Sequence, residues 1–174
     1  MPTTLRGALT FLVALWLTLE ILGALVLPPA ARGETRADPG FAALEAGLHD
    51  AVNQTRGTHH LVPLERNSVL DRAALAHSHD MAARRYMSHD TPEGLNPVDR
   101  IQRAGADGFT LAAENVGLTT KADPNREILT GWLHSPPHRR NLLMPAFNAT
   151  GIGIARAADG TYYYTQVYAT FPRE

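Results

Sequence analysis

The first pattern along the chain is a single apolar run. Residues 8–27 hold 16 apolar side chains in 20 positions, broken by Thr10, Thr18, Glu20 and Gly23. Arg6 precedes the run, and Pro28-Pro29-Ala30-Ala31-Arg32-Gly33 follows it. A charged, then apolar, then small-residue order marks an export signal, with Ala31-Arg32-Gly33 as an acceptable cleavage site. The run is also long enough to span a bilayer, although Glu20 in its middle would cost a stable span about 2.5–3.5 kcal/mol. Residues 1–33 therefore read as a cleaved signal peptide or an N-terminal membrane anchor. Both readings place residues 34–174 outside the cytoplasm, with membrane contact only through the N-terminal segment.

The pattern then turns periodic. Residues 34–40 read as a short tether, and a single domain fills 41–174. Phe41, Leu44, Leu48 and Val52 recur at helical spacing and predict an amphipathic helix of about four turns. Gly57 to Asn67 reads as a loop. Ser68 is the predicted cap of a second helix, whose Leu70, Ala74, His77 and Met81 share one face. Arg84 and Arg85 suit its C-terminus. Pro92 and Gly94 break the pattern, and Asn96-Pro97 with Asp99 opens a short helix that stops at Gly105. Residues 111–118 read as a strand around Glu114-Asn115. Asp123-Pro124 starts a helix that buries Ile128, Leu129, Trp132 and Leu133, and Ser135-Pro136 starts another through Leu143. Residues 151–158 and 161–169 flank Asp159-Gly160 and predict a hairpin with a two-residue turn, pairing Ile152 with Val167 and Ile154 with Thr165. Helices first and strands late favour an α+β fold.

Composition narrows the chemistry. The 174 residues include no cysteine, which removes disulfide scaffolds, Cys-ligated metals and thiol nucleophiles. A formal net charge of −1 carries no basic footprint for nucleic acid. Any metal must be held by nitrogen and oxygen, so the eight histidines matter. His77, on an apolar helix face, reads as a satisfied core histidine. His79 and His49 read as surface residues, and His59-His60 as loop residues. Pro136 and Pro137 separate His134 from His138 and break the regular turn a metal pair would need. Trp132 reads as core. The chain lacks His-Glu-x-x-His, Gly-x-Ser-x-Gly, a Walker loop and a dinucleotide fingerprint, so standard zinc protease, esterase and nucleotide-binding readings have no motif behind them.

Seven segments in order carry a resemblance: Ala-His-Ser-His-Asp-Met-Ala (76–82), Tyr-Met-Ser-His (86–89), Asn-Pro-Val-Asp-Arg-Ile (96–101), Glu-Asn (114–115), Gly-Trp-Leu-His-Ser-Pro-Pro-His-Arg-Arg-Asn (131–141), Gly-Ile-Gly-Ile-Ala (151–155) and Tyr-Tyr-Thr-Gln-Val (163–167). Together they resemble the CAP superfamily, or SCP domain, in its cysteine-free bacterial branch. That resemblance implies an α-β-α sandwich with a central antiparallel sheet. It also implies a cleft in which two His and two acidic residues can hold a divalent cation such as Zn²⁺, and associations with lipid or small-ligand binding.

Carried over residue by residue, half of that tetrad is present. His89 falls on the first His and Glu114 on the first acid. Ser135 stands where the second acid is expected, and Tyr163 where the second His is expected. His138 is the residue that could complete a His₂Glu metal set with them. Two readings follow. The first is an exported, non-catalytic module binding a small or lipid-like ligand or a cell-surface partner, with an optional cation. The alternative is a hydrolase acting on peptides or cell-envelope material, with Glu114 as base.

Overall fold

The computed structural model describes residues 39–172. The leader and residues 34–38 of the expected tether lie outside the described residues. Pro39 and Gly40, assigned to that tether, already belong to the first helix. Among the described residues, no helix is long and apolar enough to cross a membrane.

Among the described residues, nine elements form in chain order: α1 (Pro39–Thr58), β1 (Glu65–Arg66), α2 (Ser68–Arg84), α3 (Pro97–Arg103), β2 (Leu111–Thr119), α4 (Pro124–His134), α5 (Pro136–Leu142), β3 (Ala149–Arg156) and β4 (Tyr162–Thr170). The strands make one sheet in the order β1-β3-β4-β2. The three long strands are antiparallel, as expected, but β1 pairs with β3 in parallel. Two residues inside a loop carry no periodicity, so β1 left no mark in the pattern.

Local chemistry explains most boundaries. Helix α1 runs through Gly57, beyond its expected end. His60 at φ 58° terminates it, with Leu61 N–H bonding the Arg56 carbonyl and His60 N–H the Gly57 carbonyl. This is a Schellman closure with His in the glycine position. The fully buried Arg56 guanidinium locks the turn by donating to the carbonyls of Val62, Leu142, Met144 and Phe147. His49 is half-buried rather than superficial, because its ring bonds the Leu64 carbonyl at 3.0 Å. Asn67, not Ser68, caps α2: its side chain accepts from Val69 N–H and Leu70 N–H. Asn96 and Asp99 form the reciprocal box that starts α3. Ser135 occupies the N-cap of α5 but makes no side-chain cap bond.

The hairpin register differs from expectation by one residue. Ile152 pairs with Gln166 and Ile154 with Tyr164, while Gly151 and Gly153 pair with Val167 and Thr165. The turn holds three residues: Ala157 N–H bonds the Thr161 carbonyl at 2.8 Å, and Gly160 takes φ 89°. One extra turn residue moves every cross-strand pair by one.

That register decides the layers. On one face, Ile152, Ile154, Tyr164 and Tyr168 pack with Leu48, Val52, Ile128, Trp132 and Leu142 from α1, α4 and α5. On the other face, Val167 and Ala169 meet Leu70, Ala73, Ala74 and Ile101 from α2 and α3. Gly151 and Gly153 belong to this second face, where α2 lies directly on the backbone. A Cβ at Gly153 would stand 2.1 Å from the Leu75 nitrogen. We expect Gly153→Ala to cost at least about 2 kcal/mol in urea unfolding, because neither backbone can yield. Gly57→Ala, with nothing within 4 Å of a new Cβ, should gain about 0.5–1 kcal/mol.

Candidate functional site

The central carboxylate is Glu114, in the middle of β2 and paired with Val167. Its side chain is 1% exposed, and both oxygens are engaged. His89, in the segment between α2 and α3, donates from Nδ1 to Oε1 at 3.0 Å. Arg100, on α3, donates to Oε2 at 2.5 Å. Arg100 also reaches the His89 carbonyl at 2.7 Å and the Leu95 carbonyl at 2.8 Å, so one guanidinium holds both the acid and the loop that carries the histidine. The Asn96 box and Pro97 set the start of α3 and thereby aim Arg100.

Helix α5 supplies the opposite wall. Asn141 donates to the Glu114 carbonyl and to the Asn115 side chain, and Asn115 donates to the His138 carbonyl at 3.1 Å. These bonds bring the His138 ring to 6.3 Å from that of His89, centroid to centroid, at 50°. The His89 side chain is half-exposed.

The two imidazoles are tuned in opposite directions. The hydrogen bond to Glu114 raises the pKa of His89 above the usual imidazole value. Burial, and then the nearby His89 charge, lowers that of His138. Neighbouring His77 is 1% exposed, and burial lowers its pKa too.

The structure thus pairs His89 with Glu114 and sets the His138 ring beside that of His89. Ser135 and Tyr163 show no polar contact with them among the described residues. Tyr163 is 6% exposed and packs with Met81, Ala82, Val116, Ala155 and Ala157. It sits opposite Leu118, four positions along β2 from Glu114. Arg100, Asn115 and Asn141 lie inside the motif segments, yet the sequence pattern assigned them no role. A charge beside Ile101 on a seven-residue helix, and an amide inside an apolar strand, were the available signals.

Residues 49–168 match the model of the CAP family, described as the cysteine-rich secretory protein family. The chain belongs to the CAP family. An extracellular protein containing an SCP domain from Bacillus anthracis is 34% identical, with a TM-score of 0.64 over 74% of this chain and 40% of that one. An outer surface protein of Borrelia burgdorferi gives a TM-score of 0.70 at 18% identity, over 76% of this chain and 96% of that one, a likeness of fold alone. The Bacillus subtilis protein YkwD is 30% identical over 125 residues, 72% of this chain and 48% of its own length. The chain therefore spans about half the length of that relative, and the fold is the α-β-α sandwich of CAP proteins.

The resemblance led to the expectation of a divalent cation. As the side chains stand, they do not fit one. Each Glu114 oxygen already holds a donor, and the Arg100 cation lies against the carboxylate. Among the described residues, no three His, Asp or Glu converge on a metal position.

Two expectations follow. Arg100→Leu leaves Glu114 buried without its cation and should cost about 3–5 kcal/mol in chemical unfolding, whereas Arg100→Leu with Glu114→Leu should recover most of that loss. Because the folded-state pKa of His89 is raised, its ion pair stabilises fully below the ordinary imidazole value and fades as pH rises through the folded value. The destabilisation caused by His89→Ala should therefore be larger at about pH 5.5 than at about pH 8, measured by urea unfolding.

Proposed function

We propose that this CAP domain is an exported binding module whose cleft, between His89 and His138, takes up a small or lipid-like ligand or a cell-surface partner without turning it over. The carrying observation is that Glu114 is spent. Its buried carboxylate, bonded at both oxygens, orients His89 and balances Arg100, and has no free edge for abstracting a proton from substrate. Two half-open imidazoles at different basicity then offer one ready cationic donor and one neutral ring. That pair suits a ligand presenting a carboxylate, phosphate or hydroxyl oxygen. The leader sequence and the extracellular description of the Bacillus anthracis relative support export.

A hydrolase is the second reading, and one observation favours it. A ring nitrogen held by a buried carboxylate is the orienting arrangement of His-acid pairs, with Nε2 as the base in place of Glu114. Against it, among the described residues no serine hydroxyl is bonded to His89: Ser88 Oγ accepts instead from Asp90 N–H at 3.1 Å.

One set of titrations separates these readings. Imidazole NMR of His89 and His138 is followed against acetate, inorganic phosphate, phosphatidylglycerol vesicles and soluble peptidoglycan fragments, with hydrolysis assayed in the same samples. We expect saturable shifts with at least one probe, lost in His89→Ala, and no products. Glu114- or His89-dependent hydrolysis, or a cleft that responds to none of the probes, overturns the proposal. Calorimetry with Zn²⁺ decides the cation: equal heats from wild type and His89→Ala would remove metal from this cleft.

A further inference from the structure

A groove of about 670 Å³ runs from the end of α4, along α5 and into the residues that follow it. That volume corresponds to roughly twenty waters, enough to receive several side chains of a ligand. Its floor is apolar, made by Leu133, Pro136, Leu143, Met144 and Pro145. Leu133, Leu143 and Met144 are half-buried, packed on the core and also lining the groove. None of His89, Glu114 and His138 lines it, so the groove is separate from the His89 cleft.

The remaining lining residues are His134, Arg139 and Arg140, all exposed, and no acid stands among them. Residues 128–158 contain no Asp or Glu, so the surrounding chain supplies none either. Arg66, Arg84, Arg100 and Arg126 each meet a carboxylate. Among the described residues, Arg139 and Arg140 meet none, and neither makes a side-chain hydrogen bond. Two free guanidinium groups beside an apolar floor are complementary to an acidic ligand. The shape then selects among anionic partners. A bilayer is held by apolar side chains that protrude into it, and the large exposed ones, Val62, Met87, Val98, Leu111 and Leu118, lie outside this groove. A charged sugar polymer would leave the apolar floor unused. A peptide bearing both acidic and apolar side chains uses floor and rim together.

We propose that this groove docks a short segment of a partner protein that combines carboxylates with apolar side chains. The carboxylates pair with Arg139 and Arg140, whose planar forks accept them through two hydrogen bonds each. The apolar side chains lie on Leu133, Leu143 and Met144, and the flexible thioether adapts to their shape. The docking requires no ligand at His89.

The test selects displayed random heptapeptides on the full chain, with depletion on the double variant Arg139→Gln with Arg140→Gln. Both positions are exposed on a helix that glutamine suits, so the variant keeps the fold. We expect the enriched sequences to carry at least two Asp or Glu together with Leu, Ile or Phe. A synthetic peptide of that sequence should bind about tenfold more tightly than its Asn/Gln counterpart. Arg103→Gln with Lys121→Gln removes the same charge at other exposed positions and should leave the affinity unchanged. With the methionine methyl groups labelled, the Met144 signal should move saturably, and that of Met87, two residues from His89, should stay in place. No enrichment, enriched peptides without acids, an equal affinity for the Asn/Gln counterpart, a loss in Arg103→Gln with Lys121→Gln, or a shift at Met87 in place of Met144 each overturn the proposal. Phosphatidylglycerol vesicles are the last arm: if they bind through Arg139 and Arg140 while no peptide is enriched, the face belongs to a membrane and the proposal is overturned.

Discussion

Helix α2 lies on the backbone of β3, and everything else in the molecule is arranged around that contact. Two glycines at alternate positions leave no side chain between the helix and the strand, so α2 reaches the sheet with its own main chain. Polar side chains then rivet the contact. Asp71 accepts from Ile152 N–H at 2.8 Å, and the Ser78 hydroxyl bonds the Gly153 carbonyl and pairs with Thr165. Close approach sets the height of α2 above the sheet. His77, on the same helix, shares a cavity wall with Arg100 of α3.

The opposite face is held by a different device. A continuous buried chain runs from Asn141 through Asn115 and the Tyr168 hydroxyl to Gln166 and Thr150. Every member is paired, so the network specifies one arrangement of α5 against the edge strand β2. Complete burial pushes the Tyr168 hydroxyl pKa far above its ordinary value and keeps it a neutral link. Through Asn115 this chain grips the His138 carbonyl, and the position of one cleft histidine is therefore a consequence of core polarity.

Arg100 joins the two halves. Its cation answers the buried charge of Glu114 and secures the loop carrying His89. The same charge works against a divalent ion at that carboxylate. Tyr163 lies in the core, and Ser135 forms the junction between α4 and α5.

Most helices were legible because their signals are local. Asn96-Pro97-x-Asp99 and Asp123-Pro124 announce helix starts through groups three residues apart, and apolar spacing names the buried face before any partner is known. Motif order identified the family, and it singled out His89 and Glu114, which the structure places in contact. The misses have two causes. Strand β1, the longer α1 and the burial of His49 depend on partners distant in sequence, whereas the hairpin shift is local to its turn. The shift came from one extra turn residue, and it exchanged which side chains face α2. Local pattern carried the family and most helix starts. The buried pair of Arg100 and Glu114, the approach of His138 to His89 and the unpaired nitrogen of His77 emerged with the packed fold, because the energies of burial and charge pairing depend on distances that no local pattern contains.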